Sequence, residues 1–198
     1  MVEQQRRSRL AAGLLRLLGW RLEVTLPEEP SYVLVVAPHT SNWDFFYGYA
    51  AKMAVGLDLF IMAKHTLFRG PLGHVLRRLG VIPVDRRAAH GVIGQMAETF
   101  RRSERLVLAI TPEGTRSRTT YWKPGFYHIA RDAGVPIALA FLDYRGKRVG
   151  IGGVVYPSGD INADMASIRA FYSDKYGRRP QEQGEVRLRP ADRQDASA

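Results

Sequence analysis

Tyr32-Val33-Leu34-Val35-Val36-Ala37 runs without a break into Pro38-His39-Thr40-Ser41-Asn42-Trp43-Asp44. The first six residues are apolar or aromatic throughout, with no polar alternation, so they read as a central strand buried on both faces. Proline then closes the strand, and Thr40, Ser41 and Asn42 offer capping oxygens ahead of a helical pattern that starts at Trp43. A buried strand feeding a helix through a short polar loop is the repeating unit of an α/β domain. The ends of such strands are where functional side chains gather.

Outward from this unit, apolar runs alternate with helical patterns. Strands are expected at Trp20 to Leu26, Leu59 to Ala63, Val81 to Val84, Leu106 to Ile110, Val135 to Asp143 and Arg148 to Val155. Helices are expected at Trp43 to Val55, Leu72 to Leu79, Ala89 to Arg102, Gly125 to Ala133 and Ile161 to Tyr176. The fold class is therefore α/β: one domain over residues 20–176, a central mixed β-sheet flanked by helices. At 198 residues the chain is long enough for one substantial core. From Gly177 onward, residues 177–198 are rich in Arg, Gln, Asp and Pro and read as a polar, disordered tail.

Residues 1–19 begin like a signal sequence, with a basic stretch before an apolar one. Arg16 interrupts the apolar run, no small-residue cleavage site follows, and the run is far short of the roughly 20 residues that span a bilayer. On a helical wheel Leu10, Leu14, Leu17 and Leu18 share one side, while Arg9 and Arg16 lie opposite. This pattern predicts an amphipathic helix at a membrane surface, with the leucines and Trp20 at the acyl boundary. Packing on the domain's own core is the competing use of such a helix. With no signal peptide, the expected location is cytoplasmic, peripheral on the inner face of the membrane.

Twenty-nine basic residues against 19 acidic give a net charge of +10, which favours anionic partners. The arginine pairs 77–78, 86–87, 101–102 and 178–179 are scattered, without the interleaved aromatics of a nucleic-acid stripe, so an anionic membrane is the expected partner ahead of nucleic acid. The absence of cysteine excludes disulfides, thiolate metal sites and thiol nucleophiles. His65, His74, His90 and His128 have no metal-ligand spacing, and no metal or cofactor is expected.

His39 and Asp44 are five residues apart, about 140° on one continuous helix, so they can meet only across a bend. With His39 in the loop and Asp44 in the first helical turn, where the helix dipole favours a carboxylate, the pair can form a general base. A second buried strand, Leu106 to Ile110, leads to Thr111-Pro112-Glu113-Gly114-Thr115-Arg116-Ser117-Arg118. Here Gly114 permits close backbone approach, Thr115 and Ser117 supply hydroxyls, and Arg116 supplies a planar fork for phosphate oxygens.

Together, His39-Thr40-Ser41-Asn42-Trp43-Asp44 and Pro112-Glu113-Gly114-Thr115-Arg116 resemble two signature blocks of the lysophospholipid acyltransferase family. Gly80-Val81-Ile82-Pro83-Val84-Asp85-Arg86 is similar to the block whose arginine contributes to the glycerol-phosphate site, and Val135-Pro136-Ile137 to the hydrophobic block after it. Lys64 and Lys123-Pro124-Gly125 are supporting matches. Pro38 and Thr111 depart from the Asn and Phe frequent in the family. The resemblance implies a base role for His39, an orienting role for Asp44, and substrate-phosphate contacts from Arg86, Glu113, Gly114, Thr115, Arg116 and Lys64. Because a carboxylate repels phosphate, Glu113 is expected to fix Arg116, Lys64 or loop backbone instead. The implied reaction transfers a fatty acyl group from acyl-CoA or acyl carrier protein, as co-substrate, to a lysophospholipid hydroxyl, first of all that of 1-acyl-glycerol-3-phosphate. Another lysolipid acceptor, a serine-type hydrolase using Ser41 and, outside enzymes, a basic nucleic-acid or membrane binding protein stay open as alternatives.

Overall fold

The computed structural model describes residues 8–85 and 91–189. In chain order its elements are α1 (Arg9–Leu17), β1 (Arg21–Val24), β2 (Tyr32–Ala37), α2 (Trp43–Val55), β3 (Leu59–Lys64), α3 (Pro71–Arg78), β4 (Val81–Val84), α4 (Gly91–Arg102), β5 (Val107–Ile110), α5 (Gly125–Ala133), β6 (Ile137–Asp143), β7 (Arg148–Val155) and α6 (Ile161–Tyr172). The strands form one sheet in the order β1-β7-β6-β2-β5-β3-β4. Strands β2 to β6 run parallel, β7 returns antiparallel beside β6, and β1 pairs parallel with β7. The expected single α/β domain with a mixed sheet is what the chain forms. β2 lies between β5 and β6, which explains its unbroken apolar sequence: both faces are covered and both edges are paired.

Direction of travel along the sheet decides where the helices lie. The steps β2-α2-β3 and β3-α3-β4 go one way, while β4-α4-β5 and β5-α5-β6 go back. With right-handed crossovers, α2 and α3 fall on one face of the sheet and α4 and α5 on the other. The core agrees with this assignment. Trp122, Phe126, Tyr127, Phe141 and Tyr172 are all buried in one large cluster shared with α4, α5 and α6. A smaller cluster on the opposite face joins Leu15 of α1 to Ala51 and Ala54 of α2.

The N-terminal helix has three sides instead of the two its sequence pattern suggests. Ser8 caps it, its Oγ accepting the Ala11 N–H at 3.1 Å. Leu15 points inward and is buried, whereas Leu10 and Leu17 are 88% and 84% exposed. Trp20, expected at an acyl boundary, is instead in the core. It is 4% exposed, 4.3 Å from the Tyr47 ring and 5.0 Å from that of Tyr144. A large apolar ring at the start of a strand finds more contact under the adjacent helix than outside it. Among the described residues no helix is long and apolar enough to cross a membrane. Residues 177–189, read from composition as part of a free tail, lie against the domain. Leu188 bridges to Trp122, the Arg179 N–H reaches Thr40 Oγ1 at 3.2 Å, and a 3-10 turn forms at Pro180–Glu182.

Candidate active site

Because β2 and β5 are hydrogen-bonded neighbours running parallel, with Val33 opposite Leu108, their C-terminal loops emerge side by side. The first carries His39 and Asp44, the second Glu113 to Arg118. The bend between His39 and α2 brings His39 Nδ1 to 3.2 Å from Asp44 Oδ2. Asp44, in the first turn of α2, also reverses the capping expected there. Asn42 occupies the cap position but makes no side-chain cap bond, while Asp44 Oδ2 reaches back to accept the N–H groups of Thr40 and Ser41 at 2.8 and 2.9 Å. Its other oxygen accepts the Tyr144 hydroxyl at 2.7 Å.

Burial pushes the Asp44 carboxyl upward, but the bonds from His39, Tyr144 and the Ser41 backbone outweigh it and hold the group below the usual range. Asp44 is therefore a fixed anion beside Nδ1. It orients the imidazole with Nε2 as the nitrogen left for a substrate proton. The imidazole remains 18% exposed, open enough to meet a substrate.

Glu113 is buried and accepts the backbone N–H of His39 at 2.8 Å through Oε2. It fixes loop backbone, as expected of a carboxylate in this position, but the backbone is that of the other loop, 74 residues away. Burial raises its pKa to about 7, a shift moderated by the His39 N–H and reinforced by the charge of Asp44. Gly114 has a left-handed backbone, φ 68°, and a Cβ there would lie 2.7 Å from Lys123 Nζ. The left-handed conformation is what favours glycine at this turn, since the flexible lysine end folded over it could move aside.

His39, Thr111, Gly114, Thr115, Arg116 and Ser117 line one open cleft of about 450 Å³. Of the residues singled out in the sequence, His39, Gly114, Thr115 and Arg116 line this cleft directly. Asp44 and Glu113 sit behind it and hold His39. Lys64 is exposed at the end of β3 and is not among the lining residues. Arg86 lies outside the described residues. Ser41 is 4% exposed, its Oγ accepting the Trp43 N–H at 3.2 Å, so it presents no nucleophile to the cleft.

Two participants have no signal in the sequence. Tyr144 sits in the turn after β6, and only the sheet brings it to Asp44, 100 residues earlier. Arg178 stacks 5.2 Å from the Trp43 ring and 5.9 Å from that of Tyr144, the tyrosine that bonds Asp44. Lys123, a supporting match in the sequence, folds its side chain over Gly114 and is not among the residues that line the cleft.

A family model described as Acyltransferase matches residues 21–139, which covers both loops. Among solved structures, the 1-acyl-sn-glycerophosphate (LPA) acyltransferase PlsC from Thermotoga maritima superposes with a TM-score of 0.52 at 18% identity, over 80% of this chain and 71% of that one. At that identity the likeness concerns the fold. No curated protein sequence matches the chain.

Proposed function

We propose, from the premise that this chain belongs to the Acyltransferase family and is an O-acyltransferase, that it acylates the hydroxyl of a phosphate-bearing lysophospholipid at a membrane surface. The observation that carries the reading is a juxtaposition: His39 and Arg116 line the same cleft. A base and a phosphate fork side by side suit an acceptor with a free hydroxyl close to a phosphate. The leading acceptor is 1-acyl-glycerol-3-phosphate, the compound in the name of the structural relative.

In this mechanism the acceptor hydroxyl gives its proton to His39 Nε2 as its oxygen attacks the carbonyl carbon of an acyl thioester. Asp44 stabilises the imidazolium that forms. The tetrahedral intermediate then collapses, the C–S bond breaks, and the departing thiolate takes the proton from Nε2. No covalent enzyme intermediate is involved, in keeping with the burial of Ser41. Thr115 and Arg116 grip the phosphate, with Arg86, Lys64 and Lys123 as further candidates. The donor is a thioester of coenzyme A or acyl carrier protein. The leucine face of α1 holds the enzyme to the membrane, on the cytoplasmic side where such thioesters are made.

The test incubates protein and the His39→Ala variant with anionic vesicles, lysophosphatidic acid and both kinds of thioester, following thiol release and lipid products by mass spectrometry. Phosphatidic acid formed by the unaltered protein alone is the expected result. Thiol release without any acylated lipid would replace the transfer reading with hydrolysis. Acylation of phosphate-free lysolipids at equal rates would overturn the phosphate assignment.

A further inference from the structure

α3 is attached to the domain by one side only. A Cβ at its Gly73 would lie 2.2 Å from the carbonyl oxygen of Phe68, so the helix rests with its backbone directly on the 3-10 turn His65–Phe68. Arg77 adds to the same attachment through its guanidinium, 5.3 Å from the Phe68 ring, which a bond to the Gly73 carbonyl within the helix holds in place at 3.4 Å. The apolar side chains are elsewhere. Leu72, Val75 and Leu79 fall within an arc of about 60° on the helical wheel, turned away from Gly73, and are 53%, 52% and 68% exposed. Leu67, in the turn below, and Ile61, on β3, are each about half exposed too. An amphipathic helix held by its backbone, with its apolar stripe outward, is the reverse of a core helix.

Charge identifies what covers that stripe. From residue 64 to residue 84 the chain has Lys64, Arg69, Arg77 and Arg78 and neither Asp nor Glu. All four cations are exposed. A second copy of this chain would set like charges against each other around the stripe, on molecules that each already have a net charge of +10. An anionic lipid surface meets both features at once, with phosphates for the cations and an acyl boundary for the leucines. α3 also lies on the same face of the sheet as α2, whose Trp43, Phe45, Phe46 and Tyr49 are 50% to 64% exposed.

We infer that α3 is a second foot on an anionic lipid surface, inserting Leu72, Val75 and Leu79 at the acyl boundary while Arg69, Arg77 and Arg78 meet headgroup phosphates. The inference rests on the membrane reading given above for α1. A single amphipathic helix leaves a protein free to tilt about it. A second contact on α3 restricts that tilt, and with it the angle at which the cleft beside His39 meets a lipid headgroup.

The experiment uses the full chain, no substrate, and co-sedimentation with vesicles of phosphatidylglycerol and phosphatidylcholine. Three sets of substitutions are compared: L72Q/V75Q/L79Q, R69Q/R77Q/R78Q and, in α1, L10Q/L14Q/L17Q. Since the leucines and valine of the two apolar sets are exposed, those variants should retain the circular dichroism and melting temperature of the parent, and R69Q/R78Q, which leaves the Arg77 contact with Phe68 in place, is compared beside the triple arginine set to separate charge from attachment. The α3 apolar set should lower vesicle partitioning by at least about tenfold. The arginine set should lower it at low salt, with the difference fading toward about 1 M salt. Parent-like binding by the α3 apolar set, while the α1 set loses binding, would overturn the second foot and leave α1 as the sole anchor. Parent-like binding by all three sets would overturn the membrane reading as well, whatever acyl transfer to soluble short-chain acceptors shows. If the α3 set instead binds vesicles like the parent but converts a dimer to a monomer in sedimentation, a second copy covers α3 and the inference falls.

Discussion

The two loops that meet at the cleft are built on opposite principles. In the loop after β2, Thr40, Ser41 and Asp44 are 1%, 4% and 4% exposed. The N–H groups of His39, Thr40 and Ser41 all end on carboxylates. In the loop after β5, Gly114 to Arg118 are all exposed. From Gly114 to Ser117 its bonds are Gly114 N–H to the Thr111 carbonyl at 3.1 Å and Ser117 N–H to Thr115 Oγ1 at 3.2 Å, and the loop is tied at its far end by Arg118 N–H to the Glu182 carboxylate at 2.9 Å. A proton acceptor must be placed before the substrate arrives, because misplacement by about 1 Å can cost a hundredfold in rate. A phosphate grip tolerates more slack, since the ligand's own charge can order a mobile arginine at a cost of about 2 kcal/mol of side-chain entropy. On the function proposed above, the contrast separates a prepared catalytic loop from an adaptable binding loop.

The most severe way to break the contrast is at the base itself. His39→Ala should reduce turnover by about 10²- to 10⁴-fold with little change in melting temperature, because the lost group accepts a proton and contributes little packing. Residual turnover near the parent value in a thiol-release assay would remove His39 from the mechanism. Next in size is Asp44→Asn. The carboxylate faces the hydroxyl of Tyr144, the N–H groups of Thr40 and Ser41, and Nδ1 of His39. An amide would turn its own N–H toward one of these donors, costing about 1 to 3 kcal/mol of stability. Turnover should fall as well, through loss of the anion beside the imidazole. For this variant chemical denaturation and turnover should move together, whereas for His39→Ala only turnover moves.

The binding loop should respond differently again. Arg116→Ala removes an exposed cation, so stability should stay within about 0.5 kcal/mol of the parent. Loss of a charge-assisted contact of about 1.5 to 3 kcal/mol should raise KM for a phosphate-bearing acceptor by roughly 10- to 150-fold, with a much smaller change in kcat. Equal losses with phosphate-bearing and phosphate-free acceptors would make Arg116 structural and erase the division of labour between the loops.

How much of this the sequence reveals depends on the distance over which each feature is determined. β2 and α2 have the boundaries expected from their residues, because an unbroken apolar run and a capped helix are local signals. His39 and Asp44 are legible for the same reason, being five residues apart across a bend. Neither the Glu113 bond to the His39 N–H nor the Tyr144 bond to Asp44 is legible, since each requires the strand order of the finished sheet. The fate of α1 and Trp20 depends on packing. Hydrophobic periodicity marks the helix as amphipathic, but only the presence of α2 decides that Leu15 turns inward, Leu10 and Leu17 stay outside, and Trp20 is covered. Residues 177–189 show the limit of composition: a polar stretch can still be held when it supplies hydrogen bonds to a loop such as the one at Thr40.

The smallest effect on turnover is expected where the loops join. Glu113 belongs to the second loop by sequence and to the first by bonding, and its pKa raised to about 7 means that folding favours its neutral form. A raised carboxyl binds its proton more tightly in the folded state than in the unfolded one. Its contribution to stability is thus fully present below the ordinary pKa of 4.5 and is lost as pH rises through about 7. Asp44 works in the opposite sense, its contribution present above the ordinary carboxyl value and lost as pH falls through its depressed one. Glu113→Gln keeps an oxygen to accept the His39 N–H and removes only the titration. The variant should match the parent near pH 4.5 and become the more stable of the two by pH 8, by no more than about 3 kcal/mol. Its turnover should remain closest to the parent among the four substitutions. Urea unfolding at a series of pH values reads this directly. If the two stability curves stay parallel across that range, Glu113 is ionised in both states and the prepared loop is held by a charge. If they diverge as expected, Glu113 is a neutral acid in the folded protein at low pH, and its ionisation costs stability because burial and the nearby Asp44 disfavour the charge, although the anion accepts the His39 N–H more strongly.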